Sequence, residues 1–320
     1  RDWAAAAIEG WERWDPDGRR SLFHRTGFAN LSLEPLTDEG FIGRSLAGLP
    51  SATRLDAVAI ADRFPFLSPG FFVDGYLNPA VGWADAGATV RFQERKCQLA
   101  GVGIVPERAA RVGDGWVGLE GDGLLRAGCV VVAAGAWTTE LVAQAPLAAV
   151  GQPVLYLRPT TPERFAEVPV WGLDLPVTGY YGFPATADGI VKVGHHGPGV
   201  TRRLRIRTVP DAVVETFRGF FREAIPELAG APIAKTRVCF YCDAPDGRFL
   251  VDRVPGHERL VVAAGGSGHG FKFAPVIGEL IAAVVTDEDH PARMATQWRD
   301  AAPGVDAARA SAVDDDGKSG

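Results

Sequence analysis

The sequence predicts a mixed α/β fold, a parallel-strand portion of nucleotide-binding character interleaved along the chain with an antiparallel-sheet module. Three observations predict it. The runs "CVVVAAG" at 129–135 and "RLVVAAGG" at 259–266 are apolar strands that end in glycine and feed helical patterns, the unit that places a ligand at a strand's carboxyl end. Between them residues 149–247 change character, with prolines at 153, 159, 162, 169, 176, 184 and 198 and aromatic strands such as "GYYGFP". A composition of 47% hydrophobic and 22% charged residues, with 39 glycines and 23 prolines, suits such a loop-rich fold better than a coiled coil or a disordered chain.

Taken in order, residues 2–14 have the spacing of an amphipathic helix, ended by the turn "DPDG" at 15–18. "SLFHRTGFANLSL" reads as a strand broken at Gly27, and 38–63 as short helices and loops. "DAGATVRFQERKCQL" and "GWVGLEGDGLLRAGCVVVAAG" are expected to contain short strands separated by glycine turns, with "AWTTELVAQA" as the helix after the second. Helices are also expected at 211–224 and over "APVIGELIAAVVT". The parallel portion is then 1–14, 67–148 and 248–300, the antiparallel module 15–66 and 149–247, and 301–320 a small, acidic, disordered tail. The chain opens with Arg1 and runs at once into helical spacing, so its true N-terminus is expected to lie upstream.

A net charge of -6 and a pI near 5.6 leave no basic patch for nucleic acid or an anionic membrane, and no apolar run reaches the roughly 20 residues of a membrane span. A small molecule is the expected partner. Cys97, Cys129, Cys239 and Cys242 are too few and scattered for a disulfide framework, which points to a reducing, cytoplasmic setting.

The chemistry-bearing residues fall in three stretches. In "GGSGHGFKFAPV" the glycines let backbone amides approach a ligand, and Lys272 stands between Phe271 and Phe273, where an unpaired ammonium needs an anion or an electron-rich ring. In "DGIVKVGHHG", Lys192 points away from Val191 and Val193, which fits either a functional cation or an outer-face lysine. His195 and His196 point to opposite sides of an extended chain, so they form no metal clamp. In "RVCFYCDAPDGRFLVD", Cys239 and Cys242 invite a dithiol or half a zinc site, but the stretch has strand composition and no second CxxC or HxxxH completes a tetrahedron. Cys239 then shares a face with Tyr241, as a nucleophilic thiol or a buried hydrophobe.

Together, "SGHGFKFAPVIGE", "CFY" with "PDGRFLVD", "YYGFP" with "VKVGHH", and "AAGAW" resemble the monomeric sarcosine oxidase and N-methyltryptophan oxidase group of the D-amino-acid-oxidase-like flavoenzymes, over residues 2–300. The resemblance implies an FAD-binding Rossmann-like domain interleaved with a substrate domain. It implies that Cys239 bonds covalently to the 8α-methyl of FAD, that Lys192 lies near flavin N5 and favours reaction with oxygen, and that Tyr241 and His196 line the substrate side. Lys272 would bind the substrate carboxylate. Gly268, His269, Gly270 and Phe271, with Gly265 and Gly266 beside them, would contact the cofactor, and Gly135, Ala136 and Trp137 would lie near the dinucleotide.

The implied reaction is oxidation of a secondary amino acid, N-methylated or cyclic, to an imine, with O2 reduced to hydrogen peroxide by a monomeric enzyme. The family begins with a strand, a GxGxxG turn and a helix that hold the ADP half of FAD; this sequence lacks that first βαβ unit, about 50 to 60 residues. Two alternatives stand beside this one. They are a dehydrogenase of the same fold with another acceptor, and a split or non-catalytic subunit that binds a small carboxylate through Lys272.

Overall fold

The computed structural model describes residues 2–15, 18–19 and 22–299; the expected tail at 301–320 and the middle of the expected turn at 15–18 lie outside them. In chain order the elements that matter are α1 (Asp2–Trp14), β1 (Phe28–Ser32), β2 (Thr53–Asp56), β3 (Asp74–Asn78), α2 (Ala86–Leu99) and β4 (Val130–Val132). They continue with β5 (Ala148–Leu157), β6 (Val170–Leu173), β7 (Tyr180–Gly182), β8 (Val191–His195), α3 (Asp211–Ala224), β9 (Ile233–Asp243), β10 (Leu250–Arg253), β11 (Leu260–Ala264) and α4 (Ala274–Thr286). Among the described residues no helix is long and apolar enough to cross a membrane.

The chain forms two compact units. One takes the residues up to Phe23, Ala84–Val150 and those from Phe240 on; the other takes His24–Trp83 and Gly151–Cys239. The boundaries differ from the expected domains chiefly at 67–83, which join the second unit because β3 hydrogen-bonds along β1, from Phe28 opposite Asn78 to Ser32 opposite Asp74. Residues 15–23 and 240–247 join the first unit instead.

In the second unit an eight-stranded sheet runs β9-β5-β8-β7-β6-β1-β3-β2. It departs from the expected antiparallel sheet where β6 runs parallel to β1. Alternation sorts its residues into two faces. Ala29, Leu31, Leu55, Leu77, Leu155, Trp171, Leu173, Val191 and Val193 form the apolar face, fully or nearly buried with Phe217 and Phe221 of α3. Gly27 has a φ of +81°, a left-handed turn that breaks the strand where the sequence placed the break.

In the first unit β10-β11-β4 form a small sheet in which β11 and β4 are parallel, Val262 opposite Val132, as the two apolar runs predict. Two expectations fail here. Residues 86–99 form helix α2 rather than a strand, because the Asp85 carboxylate caps its start by accepting from the Ala88 N–H at 2.8 Å. After β4 the helix expected over 136–145 is only a 3-10 turn, Gly135–Trp137, and one α-turn, Thr138–Leu141. No side chain caps it, and the Thr139 hydroxyl donates back to the Ala136 carbonyl at 2.8 Å.

Candidate functional site

The second face of the large sheet is polar, and the strand registers define one row across it. Arg54 of β2, Tyr76 of β3, Asn30 of β1, Gly172 of β6, Tyr181 of β7, Gly194 of β8 and Val154 of β5 stand opposite one another in turn. Lys192 lies on the same face, two residues along β8 from Gly194 and opposite Tyr156. The sequence therefore placed it correctly, away from the valines. It is half-buried, with its ammonium 4.4 Å from the centre of the Phe183 ring. Burial pulls its pKa below the usual lysine value, a neighbouring Cys239 charge pulls it back up, and Arg237 adds to the lowering. Among the described residues no carboxylate pairs with this ammonium.

Phe183 and Tyr181 were not among the expected site residues, although "YYGFP" had drawn notice; alternation along β7 puts Tyr181 on the lysine's face. A Cβ at Gly194 would overlap the Tyr181 ring, so that glycine is what lets the ring lie flat against β8. His195 turns to the apolar face, 4.8 Å from Tyr180 and 6.2 Å from Phe217, and burial lowers its pKa; the His196 backbone N–H donates to the Gly179 carbonyl.

Cys239 and Cys242 fall on opposite faces of β9, too divergent to act as a dithiol pair. Cys242 is buried, and burial raises its thiol pKa. Cys239 is half-buried, near enough to Lys192 and Tyr156 to influence the charge of both. No group of three or more His, Cys, Asp or Glu able to hold a metal occurs among the described residues.

In the first unit the carboxyl ends of β4 and β11 lie side by side and both open into left-handed glycines, Gly135 at φ +55° and Gly265 at φ +75°. Gly135 has open space where a Cβ would stand, and the buried Thr138 hydroxyl three residues on has no partner. A cradle with room beside its backbone and an unsatisfied hydroxyl fits a dinucleotide such as FAD. Beyond Gly265 and Gly266, Gly268 at φ +81° lies so close to the Tyr241 ring that a Cβ would overlap it. His269 bonds through Nε2 to the Gly247 carbonyl at 2.8 Å, and Trp137 meets Phe240 at 6.3 Å.

Lys272 sits in the 3-10 turn Gly270–Phe273 that opens α4. That turn is held from α1, whose Trp11 Nε1 donates to the Lys272 carbonyl at 2.9 Å and whose Trp3 stacks on Phe273 at 4.9 Å. The side chain is exposed along part of its length, while its ammonium, 5.4 Å from the centre of the Phe273 ring, has its pKa lowered by desolvation. No acidic side chain among the described residues pairs with it, so an arriving anion would meet an uncompensated cation.

Known proteins resemble this chain along most of its length. N-methyl-L-tryptophan oxidases from Salmonella newport (strain SL254) and Salmonella typhimurium are each 29% identical over 287 residues, spanning 85% of this chain and 75% of theirs. Among solved structures, the fructosyl amine:oxygen oxidoreductase Amadoriase I of Aspergillus fumigatus aligns with a TM-score of 0.77 at 21% identity, over 93% of this chain and 76% of its own. Fructosyl peptide oxidase from E. terrenum gives 0.79 at 20%, over 96% and 79%, so both share the fold. The model of the DAO family, FAD dependent oxidoreductase, matches residues 1–284, and this protein belongs to that family.

Proposed function

We propose that this FAD-dependent oxidoreductase is an amine oxidase that converts a secondary amino acid, N-methylated or cyclic, to its imine while O2 becomes hydrogen peroxide. In this reaction the C–H bond beside nitrogen breaks with its electron pair, the nitrogen loses a proton to solvent, and a C=N bond forms. Bound FAD supplies the two-electron acceptor that passes the pair on to O2. The chain's own residues do the rest. Lys272 binds the substrate carboxylate, Tyr241 and His196 line the substrate side, and Cys239 anchors the cofactor through a thioether. Gly135, Ala136 and Trp137 lie along the dinucleotide, and Gly265, Gly266, Gly268, His269, Gly270 and Phe271 along its flavin end. Lys192 offers a fixed positive charge to the negative charge that develops on oxygen.

The observation that carries this proposal is the Lys192 ammonium, half-buried on the sheet's polar face beside Cys239 with no carboxylate among the described residues to neutralise it. A desolvated cation without a partner is costly to keep, and its natural counter-charge is one that appears only during turnover. Relatives named as oxidases of an N-methyl amino acid support the substrate class. The test is acid precipitation of the flavin-loaded protein and a peroxidase-coupled assay with sarcosine. Yellow colour should stay with the pellet, leave it in Cys239→Ser, and accompany peroxide release; colour that washes out of the wild type overturns the thioether, and absence of peroxide with every secondary amine tried overturns the oxidase.

A further inference from the structure

The polar row of the large sheet contains a group that the amine oxidation does not use. Asn30, in the middle of β1, is 1% exposed, and its Oδ1 has no hydrogen-bond donor. A buried carbonyl acceptor without a donor keeps its full desolvation penalty, so a fold that holds one at the centre of a sheet needs a reason. The amide is held in place from one side only. Its neighbour across the register is Tyr76, 4% exposed, whose hydroxyl hydrogen-bonds the Asn30 side chain while burial pushes the phenol pKa up to about 12.

On the other side stands Gly172, which has no side chain, and Asn30 Oδ1 lies 3.0 Å from where a Cβ of Gly172 would be. The free acceptor therefore points along the row toward Tyr181 and away from Tyr76. The space over Gly172 is filled by the side chain of Leu175, half-buried on the single helical turn Leu175–Thr178, whose Val177 is 63% exposed. Tyr181 itself leans over Gly194, toward the strand of Lys192. Along the row Asn30 is thus followed by Gly172 under Leu175, then by Tyr181 and Gly194, with Lys192 two residues from Gly194 along β8. From β7 to β1 is two strand spacings, about 10 Å, the length of a tyrosine-sized molecule.

We propose that Asn30 Oδ1, held by Tyr76 and facing Gly172 beneath the Leu175 side chain, is a specificity subsite that accepts a hydrogen bond from an O–H or N–H at the far end of the substrate's side chain once Leu175 yields. This rests on the amine-oxidase proposal for the substrate's amino-acid class and narrows it to long or aromatic side chains that end in a donor. A site that leaves a buried acceptor unpaired discriminates against the analogue that lacks the donor. Asn30 touches no reacting atom in this scheme, so it governs choice of substrate rather than the rate of the chemical step.

The test compares two acids that differ by one hydroxyl, 3-(4-hydroxyphenyl)propionate and 3-phenylpropionate, by isothermal titration calorimetry on the full chain. The wild type should bind the hydroxy acid about tenfold more tightly. Asn30→Leu should bring the two affinities level while holding that for 3-phenylpropionate within about twofold, and Tyr76→Phe should lose part of the preference. The same ranking is expected in kcat/KM for N-methyltyrosine against N-methylphenylalanine. Equal affinity of the wild type for both acids overturns the subsite, and that comparison decides the matter even if Asn30→Leu does not fold. Discrimination between the acids in a protein that releases no peroxide from any amine sinks the oxidase proposal and leaves the subsite standing. Failure to bind either acid overturns the subsite as well.

Discussion

Gly268 shows how closely single atoms constrain this site. Its backbone sits at φ +81°, a conformation that an L side chain adopts only with strain, and a Cβ there would overlap the Tyr241 ring. Gly268→Ala should therefore cost about 1–3 kcal/mol in denaturant unfolding. Gly128→Ala is the control, since its Cβ would meet nothing within 4 Å, and it should be nearly neutral. Lys192 can be interrogated as sharply. If its ammonium serves oxygen, Lys192→Met should slow reoxidation of the reduced enzyme by O2 roughly 10²–10³-fold in stopped-flow absorbance, because a preorganised charge of this kind has that typical worth. Anaerobic reduction by substrate should change only a few-fold. Equal loss in both half-reactions would assign the lysine to binding instead.

Helix α3 locks the apolar face of the large sheet, and its sequence says so. Phe217, Phe221 and Ala224 recur at helical spacing, all at most 1% exposed, and Tyr180 of β7 meets Phe217 at 5.0 Å and Phe220 at 4.1 Å. Phe221→Ala should lower the unfolding free energy by about 3–5 kcal/mol in a chemical denaturation series, the cost of an unfilled aromatic cavity. The same periodicity made α1, α3 and α4 legible in the sequence, and continuous apolar runs ending in glycine did so for β4 and β11. Helix α2 was not legible, because only Thr89 of its fourteen residues is buried and "ATVRF" alternates like a strand; the Asp85 cap decided the matter. Alternation likewise sorted Lys192 from its valines and Cys239 from Cys242, since each pair's relation is local to one strand. The row from Tyr76 through Asn30 to Tyr181 was beyond the sequence. It depends on the registers of four strands, with Asn30 paired to a residue more than a hundred positions away, and one slipped residue would turn Asn30 to the other face.

Over the whole molecule, both units carry titrating groups whose environments set how stability varies with pH. In the sheet unit His195 has its pKa lowered by burial against Tyr180 and Phe217, so the unfolded chain, with an ordinary value near about 6.5, binds the proton more readily than the fold does. Stability from this group is complete above that value, falls as pH drops through it, and levels off below the lowered folded value. In the other unit Asp246 accepts from Arg299 at 2.7 and 2.6 Å and from Arg248 at 2.8 Å, which holds its carboxyl far below the usual range against the opposing effect of burial. Its contribution is present above the ordinary carboxylate value of about 4 and is lost as pH falls below it. For Asp74, burial pushes upward, but the Arg54 bonds and the Leu36 and Gly75 N–H groups prevail and add to the same acid limb. Asp174, raised by burial, opposes it. Thermal midpoints scanned from pH 8 to 3 should therefore decline in two stages, one beginning near pH 6.5 and one near pH 4. His195→Phe should flatten the first stage and leave the second, because a ring without a proton site fills the same aromatic surround. Asp246→Asn should shrink the second without abolishing it, since Asp74 still titrates there. A single decline below pH 4 in the wild type would mean that the His195 ring is not desolvated against α3 as described.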